Sequence, residues 1–116
     1  MFDVKGIAWK RTRYNGIYIH PIWHDSTTND TAMFIRMDPN CAYPPHIHID
    51  IEDVLVLQGG MRDGMGELKA GQFRRYYAEA THHPVALDGK EACILFALTR
   101  GGIELLEESE TNIFPT

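Results

Sequence analysis

The chain has 116 residues, a length that accommodates one domain built around a single hydrophobic core. Its composition, 44% hydrophobic and 23% charged, excludes wholesale disorder. Eleven basic against sixteen acidic residues give a net charge of −5, which argues against nucleic acid or an anionic membrane surface as the main partner.

The sequence also bears on the cellular compartment. No stretch approaches the roughly eighteen apolar residues that a membrane span requires, and the N-terminal residues lack the basic and apolar segments of a secretion signal. Cys41 and Cys93 are too few for a disulfide framework, so we interpret them as buried thiols in a reducing compartment. We therefore expect a cytoplasmic protein without a membrane partner.

Short apolar runs, punctuated by ten glycines and six prolines, predict an all-β sandwich or barrel. Residues 59–66 are predicted to form a glycine-rich turn, and Asp88-Gly89 predicts a tight hairpin between the last two strands. Residues 105–116 form an acidic tail that we expect to be loosely held. The predicted strands, in chain order, cover 16–24 (bent or at an edge, because of Pro21), 32–37, 41–49, 52–58, 72–77, 82–87 and 91–99.

Two of these strands are apolar at both parities, namely the segments 54–57 and 93–98. A half-exposed sheet would alternate apolar and polar residues, so both faces of these strands are predicted to be covered. One face can fill a barrel interior, and the other needs a second sheet or another subunit. We expect a homodimer formed through sheet faces, although a closely packed sandwich accounts for the pattern equally well.

Three histidines and a glutamate are spaced so that they can meet. His46 and His48 are two residues apart, so on a strand both rings project from the same face. Glu52 keeps that parity at the start of the next strand, and His82 begins a later one. Imidazole nitrogens with one carboxylate suit a first-row divalent metal: iron, manganese, nickel, copper, cobalt or zinc.

A structural interpretation competes with this one. A single histidine in a strand is more often a hydrogen-bonded or surface residue than a ligand, and an H-x-H pair alone is a weak signal. Burying three imidazoles and a carboxylate with nothing between them would nevertheless cost roughly several kcal/mol in unpaired polar groups. The set is therefore predicted to surround one divalent metal per chain.

The spacing of these residues resembles the two motifs of the cupins, small β-barrels that hold a metal in the barrel mouth. His46-x-His48, Glu52 and Gly59 match the first motif, and His82, eleven residues after a glycine, matches the second. The segment 59–75, GGMRDGMGELKAGQFRR, is similar to the corresponding region of the ChrR-like cupins. The resemblance, which runs from about 36 to 98, implies a single cupin domain over 1–116, with a double-stranded β-helix (jelly-roll) barrel.

The sequence departs from the family pattern at three places. Asn40 replaces the leading glycine of the first motif, Tyr77-Ala78-Glu79 stands where the second motif has Pro-x-Gly, and Ala86 replaces its trailing asparagine. None of these changes removes a ligand. They bear on the shape of the loops around the pocket.

The resemblance also implies a function. ChrR-like cupins include zinc-dependent anti-sigma factors and small dioxygenases in which a diketone chelates iron. A site with three neutral histidines, one carboxylate and open positions is typical of iron oxygen chemistry. We therefore predict an Fe(II)-dependent dioxygenase acting on a small oxygenated compound such as a diketone or hydroxyketone. A metal-dependent ligand sensor without catalytic activity and a metal-dependent isomerase or lyase are the alternatives.

Substrate contacts are predicted from strand parity. Arg75 and Tyr77 share a parity in the strand before His82, and Tyr43 precedes the first histidine motif. All three are candidate pocket residues, with Arg75 placed to pair with a substrate carboxylate or enolate. The competing interpretation is that the aromatic residues fill the core and Arg75 is a solvated cation. Alternation assigns His83, which follows the ligand His82, to the outer face.

Overall fold

The computed structural model describes residues 3–106, which fold mostly as β-strands with almost no helix. A single turn of 3-10 helix, Val4–Gly6, precedes the first strand. Within the described residues, no helix has the length and apolar character needed to cross a membrane. The strands are β1 (Lys10–Arg11), β2 (Ile17–Asp25), β3 (Asp30–Met37), β4 (His46–His48), β5 (Glu52–Gln58), β6 (Gly60–Asp63), β7 (Gly66–Lys69), β8 (Phe73–Tyr76), β9 (Thr81–His82), β10 (Val85–Ala86), β11 (Cys93–Thr99) and β12 (Ile103–Leu105).

The described strands form three antiparallel sheets, which confirms the all-β prediction. The largest sheet has six strands in the order β1-β2-β3-β11-β5-β8. Two three-stranded sheets, β10-β6-β7 and β12-β4-β9, complete the fold. Strand β2 is bent as expected, because its register with β3 shifts between Pro21 and Trp23.

The hydrophobic core lies on the inner face of the six-stranded sheet, where alternate residues of β3, β5 and β11 are buried. Apolar side chains of the two smaller sheets pack against them and belong to the same cluster. The strands that carry the candidate metal ligands therefore border a single packed core. The largest side chains of this core with almost no solvent-exposed surface are those of Ile17, Met33, Met37, Met61 and Val56.

Two predicted turns are wrong. Residues 60–63 and 66–69 form strands β6 and β7, so the glycine-rich turn shrinks to the two residues between them. Asp88-Gly89 does not connect a hairpin, because β10 pairs with β6 while β11 pairs with β3 and β5. In both cases glycine marked a real break, but the partner of the flanking strand was set by packing rather than by the turn. The predicted loose tail lies mostly outside the described residues.

The outer face of the six-stranded sheet carries a row of neighbouring side chains from five strands. His20, Phe34, Phe96, Leu55 and Phe73 follow one another as cross-strand partners. The rings of Phe34 and Phe96 lie 6.0 Å apart, edge to face. Leu55 is 36% exposed and Phe73 is 58% exposed, so this end of the row is not covered by the described chain. We call these five residues the outer row.

Candidate metal centre

The three histidines and the glutamate converge at one place although they come from three strands. His46 and His48 lie on β4, Glu52 opens β5, and His82 ends β9, where it is the register partner of His46. All four side chains are buried, with residue exposures between 1% and 6%. One possible ligand atom from each lies within 4.8 Å of the others.

The distances within the cluster match those between ligands of one ion. His46 Nε2 lies 3.1 Å from His48 Nε2, and His48 Nε2 lies 2.9 Å from Glu52 Oε1. Two ligand atoms that are each about 2.1 Å from a metal, at a right angle, are about 3.0 Å apart. An ion can therefore be accommodated by these three side chains with little change in their positions.

His46 is held in the neutral form that a metal ligand requires. Burial lowers the pKa of His46 to about 4, because the charged ring would lose its hydration. Its Nδ1 donates a hydrogen bond to the carbonyl oxygen of Pro44, at 2.8 Å. The lone pair of the neutral ring is consequently on Nε2, the atom that faces the cluster.

Glu52 is held in the charged form. Burial alone would raise the pKa of Glu52, but the hydrogen bond with His48 and the nearby imidazoles outweigh burial and lower it. Thr99, itself buried, donates its hydroxyl to Glu52 Oε2 at 2.9 Å. This contact leaves Oε1 directed at His48 and fixes the orientation of the carboxylate.

The cluster also contains polar atoms that the protein does not satisfy. Within residues 3–106, Nδ1 of His48 and Nδ1 of His82 are buried and have no hydrogen-bond partner. Orphaned buried atoms are costly. A bound ion would relieve that cost for His82, whereas His48 already directs its other nitrogen, Nε2, at the cluster. Three imidazoles and one carboxylate, all buried, suit a divalent first-row transition metal.

A small, mostly apolar cavity of about 20 Å³ lies beside the cluster. That volume is room for about one water molecule. Three of the candidate ligands reach its wall, and Tyr43 also contributes to it. The lining residues are Ile35, Met37, Tyr43, His46, Glu52, Val54, Met61, His82, Pro84 and Leu95.

The three predicted pocket residues fall in different places. Tyr43 is buried, lines the cavity and lies edge-on to His46, with ring centroids 5.3 Å apart. Arg75 and Tyr77 do not line the cavity. Tyr76 is the inward residue of this segment, so its two neighbours point outward, and Tyr77 is 64% exposed. Arg75 instead forms a two-pronged ion pair with Asp53, at 2.7 and 2.9 Å.

The structure adds a second layer that sequence reasoning missed. Asp63, at the end of β6, contacts the Nε2 atom of His82 at 2.8 Å and accepts a hydrogen bond from Tyr76. Burial alone would raise the pKa of Asp63, but these contacts hold it well below its usual range. The ring of Tyr76 also packs on His82, with centroids 4.0 Å apart. The sequence carried no clear signal for this layer, because the segment of Tyr76 is bulky or charged at both parities and glycines on both sides concealed Asp63.

Comparison with known proteins gives one family match. The model of the ChrR Cupin-like domain family matches residues 1–100. The comparison with curated proteins gives no match.

Solved structures give matches that cover most of the chain. A chain in the crystal structure of Rhodobacter sphaeroides SigE in complex with the anti-sigma ChrR is 30% identical, with a TM-score of 0.73, over 84% of this chain and 50% of that one. The present chain thus spans about half the length of that match. An RmlC-like cupin protein from Ralstonia eutropha is 20% identical (TM-score 0.78, 97% and 74% covered). An acetylacetone dioxygenase from Acinetobacter johnsonii is 11% identical (TM-score 0.77, 98% and 80% covered). These likenesses confirm the predicted jelly-roll fold.

Proposed function

We propose that this chain, which belongs to the ChrR Cupin-like domain family, is a metal-dependent dioxygenase acting on a small oxygenated organic compound such as a diketone or hydroxyketone. One divalent ion would be held by His46, His48, Glu52 and His82. The observation that carries the proposal is the convergence of these four buried side chains beside a small, mostly apolar cavity.

Among the metals that suit the donor set we propose Fe(II), with zinc, nickel, manganese, copper and cobalt as competitors for the same ligands. Three neutral imidazoles and one carboxylate leave a divalent ion with a net charge of +1, which attracts an anionic enolate. Bound there, iron would supply a centre at which O₂ and a chelating substrate meet. The fold similarity to acetylacetone dioxygenases is compatible with such chemistry.

The protein itself contributes a cavity wall of apolar side chains, some of which are flexible. Ile35, Val54 and Leu95 are apolar and line the cavity, so they exclude water from the neighbourhood of the ligands. Because the cavity holds only about one water molecule, an organic substrate needs side chains that can move aside. Met37 and Met61 in the wall have the unbranched, flexible side chains suited to that adjustment.

Metal content tests the site. The purified protein is expected to carry about one divalent ion per chain, and His46→Ala and His82→Ala are expected to lose it. His83→Ala is the matched control, because His83 is adjacent in sequence and exposed. Unchanged metal content in both ligand variants would contradict the assignment.

Oxygen consumption tests the reaction. The iron-loaded protein is mixed with a panel of diketones, hydroxyketones and catechols, and O₂ uptake is followed with an electrode. We expect uptake with at least one compound, and expect His82→Ala to abolish it. The absence of uptake with every compound, in a protein shown to contain iron, would contradict the dioxygenase.

A metal-dependent ligand sensor is the second candidate, because the 30% identical match is a chain of a complex between SigE and the anti-sigma ChrR. A sensor needs the same metal site but no turnover. Tight binding of one compound from the panel without O₂ uptake would favour this function over the enzyme.

We also infer that two copies of this chain pack through the outer row. Five strands spaced about 4.8 Å apart make a face about 20 Å wide, and the seven-residue strands β5 and β11 make it about 24 Å long at its centre. The resulting footprint, on the order of 500 Å² in projection, approaches what one partner contributes to a standard interface. Arg75 and Asp53 at its flank neutralise each other, so two copies meet without strong repulsion. Sedimentation of the wild type and of Phe73→Glu tests this, and a wild-type monomer at micromolar concentration would contradict it.

Two further expectations stay predictions. We expect residues 1–116 to act as one domain. A cytoplasmic location agrees with the two cysteines, Cys41 and Cys93, which are free thiols in the structure.

A further inference from the structure

Asp63 is a buried carboxylate that none of the predicted roles uses. Its side chain is 3% exposed, and four groups from different parts of the chain surround it. Arg74 Nη1 lies 3.3 Å from Oδ1, and the backbone N–H of Met65 donates to Oδ1 at 2.8 Å. On the other oxygen, Tyr76 donates its hydroxyl, and His82 Nε2 lies 2.8 Å away. A cation and several hydrogen-bond donors thus surround Asp63.

This contact determines which nitrogen of His82 carries the hydrogen. Both oxygens of Asp63 face donors, so the carboxylate is the acceptor and His82 Nε2 is the donor in the contact between them. A histidine binds a metal through a nitrogen that carries no hydrogen, and with Nε2–H directed at Asp63 the nitrogen that is left is Nδ1. The Nδ1 atom is buried and has no hydrogen-bond partner in the described part of the chain. The unpaired atom of His82 is therefore the one that can bind a metal.

His46 has the opposite arrangement. Its Nδ1 donates to the carbonyl oxygen of Pro44, which leaves the lone pair on Nε2. His46 and His82, which are register partners on adjacent strands, therefore differ in the ring nitrogen that their protein acceptor holds. The difference follows from their acceptors, a main-chain carbonyl for one ring and a side-chain carboxylate for the other.

We propose that Asp63 is a positioning residue that holds His82 in the Nε2–H form, so that His82 binds the metal through Nδ1 while His46 binds through Nε2. This inference rests on the metal site of the proposed function and is independent of the oxygen chemistry. Tyr76 supports the arrangement, because it donates to Asp63 and its ring packs on His82.

Ring-nitrogen NMR tests the proposal on the whole chain. Two-bond ¹H–¹⁵N spectra of the metal-free and Zn(II)-loaded protein distinguish protonated, unprotonated and metal-bound ring nitrogens. We expect His82 to be protonated at Nε2 in both states and to show the metal-bound shift at Nδ1. A metal-bound Nε2 in His82 would overturn the proposal even though the metal site itself stands.

The variant Asp63→Asn provides a second test of the proposal, and Asp53→Asn is its matched control. Asp53 is also an ion-paired aspartate, but its partner is Arg75 on the outer face. Zn(II) affinity, measured by chelator competition, is expected to fall about 10- to 100-fold in Asp63→Asn and by less than about twofold in the control. The His82 spectrum of Asp63→Asn is expected to lose its single protonation pattern, a change that a merely structural role would not cause.

The possible results separate the two proposals. If the wild type binds no Zn(II), the metal site fails, while the metal-free spectrum still shows whether Asp63 fixes the ring. Unchanged affinity and an unchanged His82 pattern in Asp63→Asn would overturn the role of Asp63. If that variant does not fold, the two wild-type spectra decide the question by themselves.

Discussion

Mild acid is expected to destabilise the metal-free protein through His46. Burial lowers the pKa of this ring to about 4, whereas the unfolded chain has the ordinary value of 6.5. Between these pH values the unfolded state binds a proton that the folded state does not. The stabilisation is therefore complete above pH 6.5 and is lost as the pH falls towards 4. The difference between the two pKa values corresponds to about 3 kcal/mol of unfolding free energy.

Urea unfolding in the presence of a chelator measures this loss. Unfolding free energies at pH 7 and pH 4 are compared for the wild type, for His46→Asn and for the control His83→Asn. The wild type and the exposed-histidine control are expected to lose about 3 kcal/mol more than His46→Asn over this range. Equal losses in all three proteins would refute the reasoning, because the acid sensitivity would then come from other groups.

Three further predictions concern single substitutions, one of them with a control. Thr99→Val removes the buried hydroxyl that donates to Glu52 and should cost about 1–3 kcal/mol in urea unfolding; an unchanged midpoint would contradict the contact. Gly59→Ala should destabilise by more than about 2 kcal/mol, because φ is +67° and the added carbon would lie 2.7 Å from a backbone oxygen. Gly64→Ala, with open space around it, is the control and should have a small effect. Arg75→Gln should leave metal content unchanged, since this side chain lies outside the cavity; metal loss would contradict that placement.

The candidate ligands could be predicted because strand geometry is simple. Residues that are two apart on a strand project from the same face, so His46 and His48 were expected to project together. Glu52 has the same parity. The strand of Glu52 was also predicted with the right bounds, since the run is short, contains the β-branched Val54 and Val56, and is ended by Gly59. What sequence could not supply was the partner of each strand, because pairing across sheets depends on packing of the whole chain. The predicted hairpin at Asp88 failed for that reason.

The pocket wall was harder to predict. The segment before His82 has bulky or charged residues at both parities, so the pattern did not say whether Tyr76 or its two neighbours face inward. The structure turns Tyr76 inward, and Arg75 pairs with Asp53 outside. Asp63 was concealed because its surrounding glycines indicated a turn. Only the three-dimensional arrangement brings its carboxylate to His82.

The shortness of β9 has a consequence for the kinetics of metal exchange. This strand has two residues, lies at the edge of its sheet and pairs with β4 alone. Fraying of an edge segment requires far less free energy than global unfolding. A bound ion would therefore lose the His82 ligand first, while the β4 and β5 ligands stay in place. Loading and release would then proceed with three of the four side chains in place, at rates set by opening of this pairing together with release of His82 from Asp63 and Tyr76.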